Sequence, residues 1–308
     1  MSKHLIINCD DFGQSTAANQ AIIHLLEEGK VSSATIMPPA PAFEAAAAWC
    51  RDRGKGRAQV GLHLTLTSEI DGLRWKSLTG LPSLHDESGF MHRTVVEFER
   101  KAVTRDVVAE MRAQFEAVKQ AGIAITHVDN HMGSLYGMAT GRSHIPQVML
   151  QCSRRGLPFR LFRRIHSKDK LLASIPRAER MLAPAVALAD VLGVAVPDYL
   201  LSHSYPIEEG ETYESFKRML IDKLYDLPEG VSETYIHPAV DDDRLQAIIP
   251  SWTKRVWEYK LMFDPDFAHA LRDAQVTLTN YRYVREHRRH SRIRSAGTLL
   301  KSLLSRKK

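Results

Sequence analysis

The stretch HLIINCDDFG, residues 4–13, decides how the rest of the chain is read. Leu5 to Cys9 is a short, mostly apolar run that ends in two carboxylates and a Phe-Gly turn, with helix-forming sequence beginning a few residues later. A parallel strand covered on both faces has this form, since polar chemistry appears only where the chain leaves the sheet at its carboxyl end. In a strict strand Asp10 and Asp11 would point to opposite faces. A break at Phe12-Gly13 would let both reach one crevice, one carboxylate holding a metal ion and the other moving a proton. The alternative is that the two acids cap the helix that follows.

Outward from this strand, Ser15 or Thr16 can start a helix that runs to Glu28 and stops at Gly29. A second strand is expected over 31–37, ending at Pro38-Pro39, then a helix over 43–51 and a third strand over 59–67. The period of two puts Val60, Leu62, Leu64 and Leu66 on one face of that strand and Gly61, His63, Thr65 and Thr67 on the other. Residues 68–104 read as a loop, with Gly72, Gly80, Pro82 and Gly89, and loops of that length inside compact domains are usually functional. An amphipathic helix over 105–120 ends at Gly122. In the fourth strand, 124–131, Ile125, His127, Asp129 and His131 share one face. Later strands are expected at 158–162, 198–202, 233–237 and 275–281. Repeated strand-helix alternation predicts an α/β fold with a parallel sheet covered by helices. With about seven or eight strands, closure into a barrel is expected.

Length and charge set the frame. The 308 residues have no Pro/Ser/Gly linker, so residues 1–283 are expected to form a single barrel domain, with the loop at 68–104 over the substrate. Residues 282–308 hold ten Lys/Arg and one Glu, a charge of +9, which leaves −3 on the rest of the chain. The body is therefore no nucleic-acid surface, whereas the 284–308 tail, with Leu299, Leu300, Leu303 and Leu304, could lie on anionic lipid. Cys9, Cys50 and Cys152 form no paired spacing, which suits a reducing cytoplasm. No secretory leader pattern is evident at the start of the chain. The apolar stretch Met181 to Val196 contains Pro184 and Asp190 and is too short to span a bilayer; a buried helix, a lid or a homodimer interface would use it.

Asp11, His63 and His131 each fall at the carboxyl end of an expected parallel strand, where barrel enzymes gather their reacting groups. Three N/O ligands from separate strands, with positions left open for water, suit a catalytic metal site. Together the motifs NCDDFG (8–13), GLHLTL (61–66), THVDNH (126–131) and ETYIHPAVDD (233–242) resemble the YdjC-like carbohydrate deacetylases, which include chitooligosaccharide deacetylases and hopanoid-associated relatives. The stretch LPSLHDESGFM, 81–91, resembles that family's substrate loop. The resemblance implies a distorted (β/α) barrel related to polysaccharide deacetylases, with metal ligands at Asp11, His63 and His131. It implies a proton-handling carboxylate at Asp10, a histidine acid at His237 and an active-site arginine at Arg160. His127 and Asp129 are placed to orient the ligands or to bind each other.

The expected reaction is removal of the N-acetyl group from an N-acetylated sugar, an N-acetylglucosamine-containing oligosaccharide or glycoconjugate, with release of acetate. One divalent metal ion per chain is implied, zinc favoured, with magnesium, nickel, cobalt or iron also admitted by the ligand types. A non-haem iron oxygenase also uses two His and one carboxylate, but it has no need of Asp10 or His237. A glycan- or membrane-binding protein without catalysis has little reason to keep the whole set.

Overall fold

The computed structural model describes residues 2–174, 178–287 and 295–299. Seven strands alternate with helices: β1 Lys3–Phe12, β2 Ser33–Ile36, β3 Val60–Leu64, β4 Val128–Asn130, β5 Tyr199–Leu201, β6 Gly230–Ile236 and β7 Val276–Leu278. Their order is β4-β3-β2-β1-β6-β5, and every pairing is parallel. β1 is the centre. β6 runs along Lys3–Cys9 on one edge, and the other edge is shared by β7 at Lys3–Leu5 and β2 at Asn8–Phe12.

The run that opens the chain is buried on both faces, as a central parallel strand must be. Leu5, Ile7 and Cys9 join the large apolar cluster that includes Ile22 and Leu25 of the helix Thr16–Glu27, which Ser15 caps. Ile6 packs instead with Val231, Tyr281 and Val284. In β3, Val60, Leu62 and Leu64 likewise join the large cluster, leaving Gly61 and His63 for the inner face.

The sheet curls into a distorted barrel. Its two edges are joined by the irregular segment 157–164, which makes one bridge to β4 (Phe159 with Val128) and one to β5 (Arg164 with Tyr199). The strand expected at 158–162 is therefore two single bridges. Only residues 128–130 of the expected fourth strand are regular strand, and His131 opens a one-turn 3-10 helix, His131–Gly133. The stretch 68–104 is not all loop, since it holds the helix Val95–Lys101, started by a capping box between Thr94 and Glu97.

The apolar stretch at 181–196 falls largely on the helix Ala178–Leu192, whose Asp190 pairs with Arg163 at 2.6 Å. Most of the basic tail, including Leu300, Leu303 and Leu304, lies outside the described residues. Among the described residues no helix is long and apolar enough to cross a membrane.

Candidate metal centre

Asp11 has φ of 64°, a left-handed backbone that an aspartate adopts at a cost of roughly 1–3 kcal/mol. The β1–β2 register shifts between Cys9 and Phe12, so the strand bulges at the two acids. This is how neighbouring aspartates escape strict alternation: the break falls at Asp11 itself, and the strand continues to Phe12. Asp11 Oδ2 accepts from Arg255 Nη2 at 2.7 Å and from Gln14 Nε2 at 3.1 Å. Its other oxygen, Oδ1, is buried and accepts no hydrogen bond. Burial would raise this carboxyl, but the Arg255 guanidinium, followed by His131 and His237, holds it well below the usual carboxylate range.

Two imidazoles face that oxygen. His63 Nε2 stands 3.6 Å from Asp11 Oδ1 and His131 Nδ1 stands 3.3 Å from it. One ligand atom from each of Asp11, His63 and His131 can be chosen so that all lie within 4.8 Å of one another. A buried carboxylate oxygen with no hydrogen bond, set between two ring nitrogens, fits a divalent cation. The far nitrogen of each ring is already occupied. His63 Nδ1 lies 2.7 Å from Asp129 Oδ1, and His131 Nε2 lies 3.0 and 2.9 Å from the two oxygens of Glu69. Without a cation, burial works against charge on His131, but the Glu69 and Asp11 carboxylates raise it to about 10. A metal ion would take the place of the Nδ1 proton.

Asp10 faces the barrel interior beside His63. Arg160 grips it through both guanidinium ends, Nη1 to Oδ2 at 2.6 Å and Nη2 to Oδ1 at 2.7 Å, and Asn8 Nδ2 adds a bond to Oδ1 at 2.8 Å. The same arginine reaches Asp129 Oδ2 at 3.0 Å and Glu233 Oε1 at 3.0 Å. Asp10, His63 and Asp129 also lie close enough to hold a cation, but the Arg160 guanidinium already stands against both carboxylates there. The group around Asp11 is the better metal site. His127 is not part of it. Its Nε2 lies 3.2 Å from Asn8 Oδ1, its ring stacks on Tyr281, and burial depresses it to about 3, so it stays a neutral member of the barrel wall.

Residues 4–273 match the family model described as YdjC-like protein. The chain belongs to the YdjC-like family. Its relatives include the carbohydrate deacetylases of Thermoanaerobacter pseudethanolicus, 28% identical over 91% of this chain and 98% of that protein, and of Geobacillus stearothermophilus, 28% identical over 92% and 98%. In fold it is similar to a putative cellobiose-phosphate cleavage protein from Enterococcus faecalis, with a TM-score of 0.71, 24% identity, and coverage of 92% of this chain and 99% of that one.

In this YdjC-like chain His237 follows the end of β6. Its backbone N–H donates to Glu258 Oε2 at 2.7 Å, while its Nδ1 is buried and has no hydrogen-bond partner. Tyr205 and Tyr235 stand edge-on to its ring. Burial opposes charge on His237, and the carboxylates of Glu258, Asp11 and Asp10 outweigh it, so its pKa rises. Glu258 also holds His203 Nε2 at 2.8 Å and is itself lowered to about 2, against its burial, by the two histidines. Reading the sequence alone missed Glu69, Arg255 and Glu258. Arg255 and Glu258 lie on the helix Trp252–Leu261 and carried no signal beyond a charged pattern that suits a surface, while Glu69 sits in a stretch without periodicity.

Proposed function

We propose that this chain is a metal-dependent hydrolase that removes the N-acetyl group from an N-acetylated sugar and releases acetate. The observation that carries this reading is the buried, donor-free Oδ1 of Asp11 between His63 and His131, with Asp10 fixed alongside. The names of the relatives supply the carbohydrate and the deacetylation. Asp11, His63 and His131 would hold one divalent ion, zinc favoured, which when bound supplies a Lewis acid for the acetamide carbonyl and a water activated at neutral pH.

The chain's own groups then divide the proton work. Asp10 takes the proton of the attacking water as general base, with Arg160 and Asn8 fixing its orientation and occupying Oδ1 twice, which leaves the free lone pair on Oδ2. His237, whose pKa is raised by the carboxylates around it, gives a proton to the departing sugar amine. Asp129 holds the His63 ring so that Nε2 faces the metal position.

The test is an acetate-release screen over N-acetylated oligosaccharides and glycoconjugates with zinc, nickel, cobalt, iron or magnesium added. Asp10→Asn should keep its metal, as read by metal analysis, and lose roughly 10²- to 10⁴-fold in kcat. Asp11→Ala should lose the metal. Full turnover by Asp10→Asn would remove the general-base role, and no acetate from any acceptor would sink the deacetylase reading.

A further inference from the structure

His63 and His131 are held in matching ways by unlike parts of the fold. Each presents one nitrogen towards Asp11 Oδ1 and the other to a carboxylate. A neutral imidazole has one N–H and one lone pair, and a carboxylate only accepts. The carboxylate therefore draws the N–H to its own side and leaves the lone pair on the nitrogen that faces the metal position. For His63 the carboxylate is Asp129, on the neighbouring strand of the sheet. For His131 it is Glu69, just beyond the end of β3 and outside the sheet.

Glu69 is not an incidental acid at the rim. The backbone just before it is pinned: Ser68 N–H donates to the His92 carbonyl at 2.9 Å, and the Ser68 carbonyl accepts from Arg74 Nε at 3.0 Å. Trp75 closes the same turn, with its indole N–H on the Thr67 carbonyl at 2.9 Å and its ring edge-on to His131 at 5.8 Å. Arg74 in turn pairs with Asp86 at 2.7 Å. The whole segment 67–92 thus fixes where the Glu69 carboxylate sits.

We infer that Glu69 is a positioning residue for His131, selecting Nδ1 as its ligating nitrogen and tying the segment 67–92 to the metal centre. This rests on the metal-dependent reading above. It assigns that segment a task at the metal besides any contact with the sugar.

The test titrates zinc and cobalt(II) into the full-length, chelator-treated chain and its variants, reading affinity by calorimetry and ligand geometry by the cobalt absorption bands. Glu69→Ala should bind zinc about 10- to 100-fold more weakly. The shape of its cobalt spectrum should match wild type. Glu69→Gln, whose amide oxygen still accepts from Nε2, should recover most of the affinity. If Glu69→Ala itself melts early, Glu69→Met, of similar length and without an acceptor, is read in its place. Wild-type affinity in Glu69→Ala overturns the inference and leaves the deacetylase reading standing. A cobalt spectrum showing one ligand fewer makes Glu69 a ligand and overturns the positioning role. A wild-type chain that binds no divalent metal overturns both.

Discussion

Arg160 draws three buried carboxylates together, since its one guanidinium faces Asp10, Asp129 and Glu233. Removing one partner from a buried ionic network leaves the others uncompensated, so Arg160→Ala should destabilise the chain by about 3–5 kcal/mol. Arg160→Lys is the sharper probe, because it keeps the charge and loses the two-pronged grip on Asp10. We expect it to fold and keep its metal affinity while kcat falls roughly 10- to 100-fold, as the proposed general base, Asp10, loses its fixed orientation. Steady-state acetate release with metal analysis checks this, and wild-type kcat in Arg160→Lys would reduce Arg160 to a point charge. Asp11, His63 and His131 could be grouped from sequence because each ends, or directly follows, a strand whose period is readable, and parallel strands bring their carboxyl ends together. Lys254, Arg255 and Glu258 could not, because Lys and Glu four apart read as an exposed helix pair. In the fold Lys254 turns to Glu211 at 2.7 Å and Glu258 to His203 at 2.8 Å, choices that only tertiary structure makes.

Between elements, the closest approach that bears on the site is β3 against the chain entering β4. A Cβ at Gly61 would lie 2.6 Å from Cε1 of His127. That ring cannot withdraw, because it stacks on Tyr281 and is bonded at Asn8 and Thr126. Gly61→Ala should therefore cost about 1–3 kcal/mol, as overpacking does, and lower the melting temperature by several degrees. A thermal melt coincident with wild type would mean that the two segments separate without cost. At this scale the strands were readable by their alternation and their lengths were not. β4 shrinks to three residues because the chain ahead of it pairs only through isolated bonds such as Thr126 N to the Val60 carbonyl. The helix at 95–101 did announce itself, since Thr94-Val-Val-Glu97 has the spacing of a capping box, but the glycines and proline from Gly72 to Gly89 dominated the reading of that stretch.

Across the whole molecule, strand-helix alternation made the parallel barrel readable, but how it closes was not, because 157–164 joins the edges through single bridges that have no sequence period. Composition also hides which charges go inside, and those charges set how stability responds to pH. His127, held neutral and lowered to about 3, stabilises the fold above the ordinary histidine range, and this is lost as pH falls from about 6.5 towards 3. Glu258, lowered to about 2, adds a loss below about 4.5. Glu233 has the opposite sign. Burial raises it to about 7, with Arg160 opposing, so the folded chain binds a proton there that the unfolded chain has released. Its contribution is fully present below about 4.5 and is lost as pH rises through about 7. Between those limits the contributions of Glu233 and His127 run in opposite directions and offset each other. Glu233→Gln removes only the first, so its stability should fall steadily from about pH 6.5 downwards. The wild-type advantage over Glu233→Gln should grow by on the order of 3 kcal/mol between pH 7 and 4.5, a figure set by the size of the shift. Urea unfolding of both proteins across that range in chelator measures the difference directly, with the remaining titrating groups common to both. A difference that stays constant from pH 4.5 to 7 would show that Glu233 is ionised throughout, paired with Arg160 as an ordinary buried salt bridge.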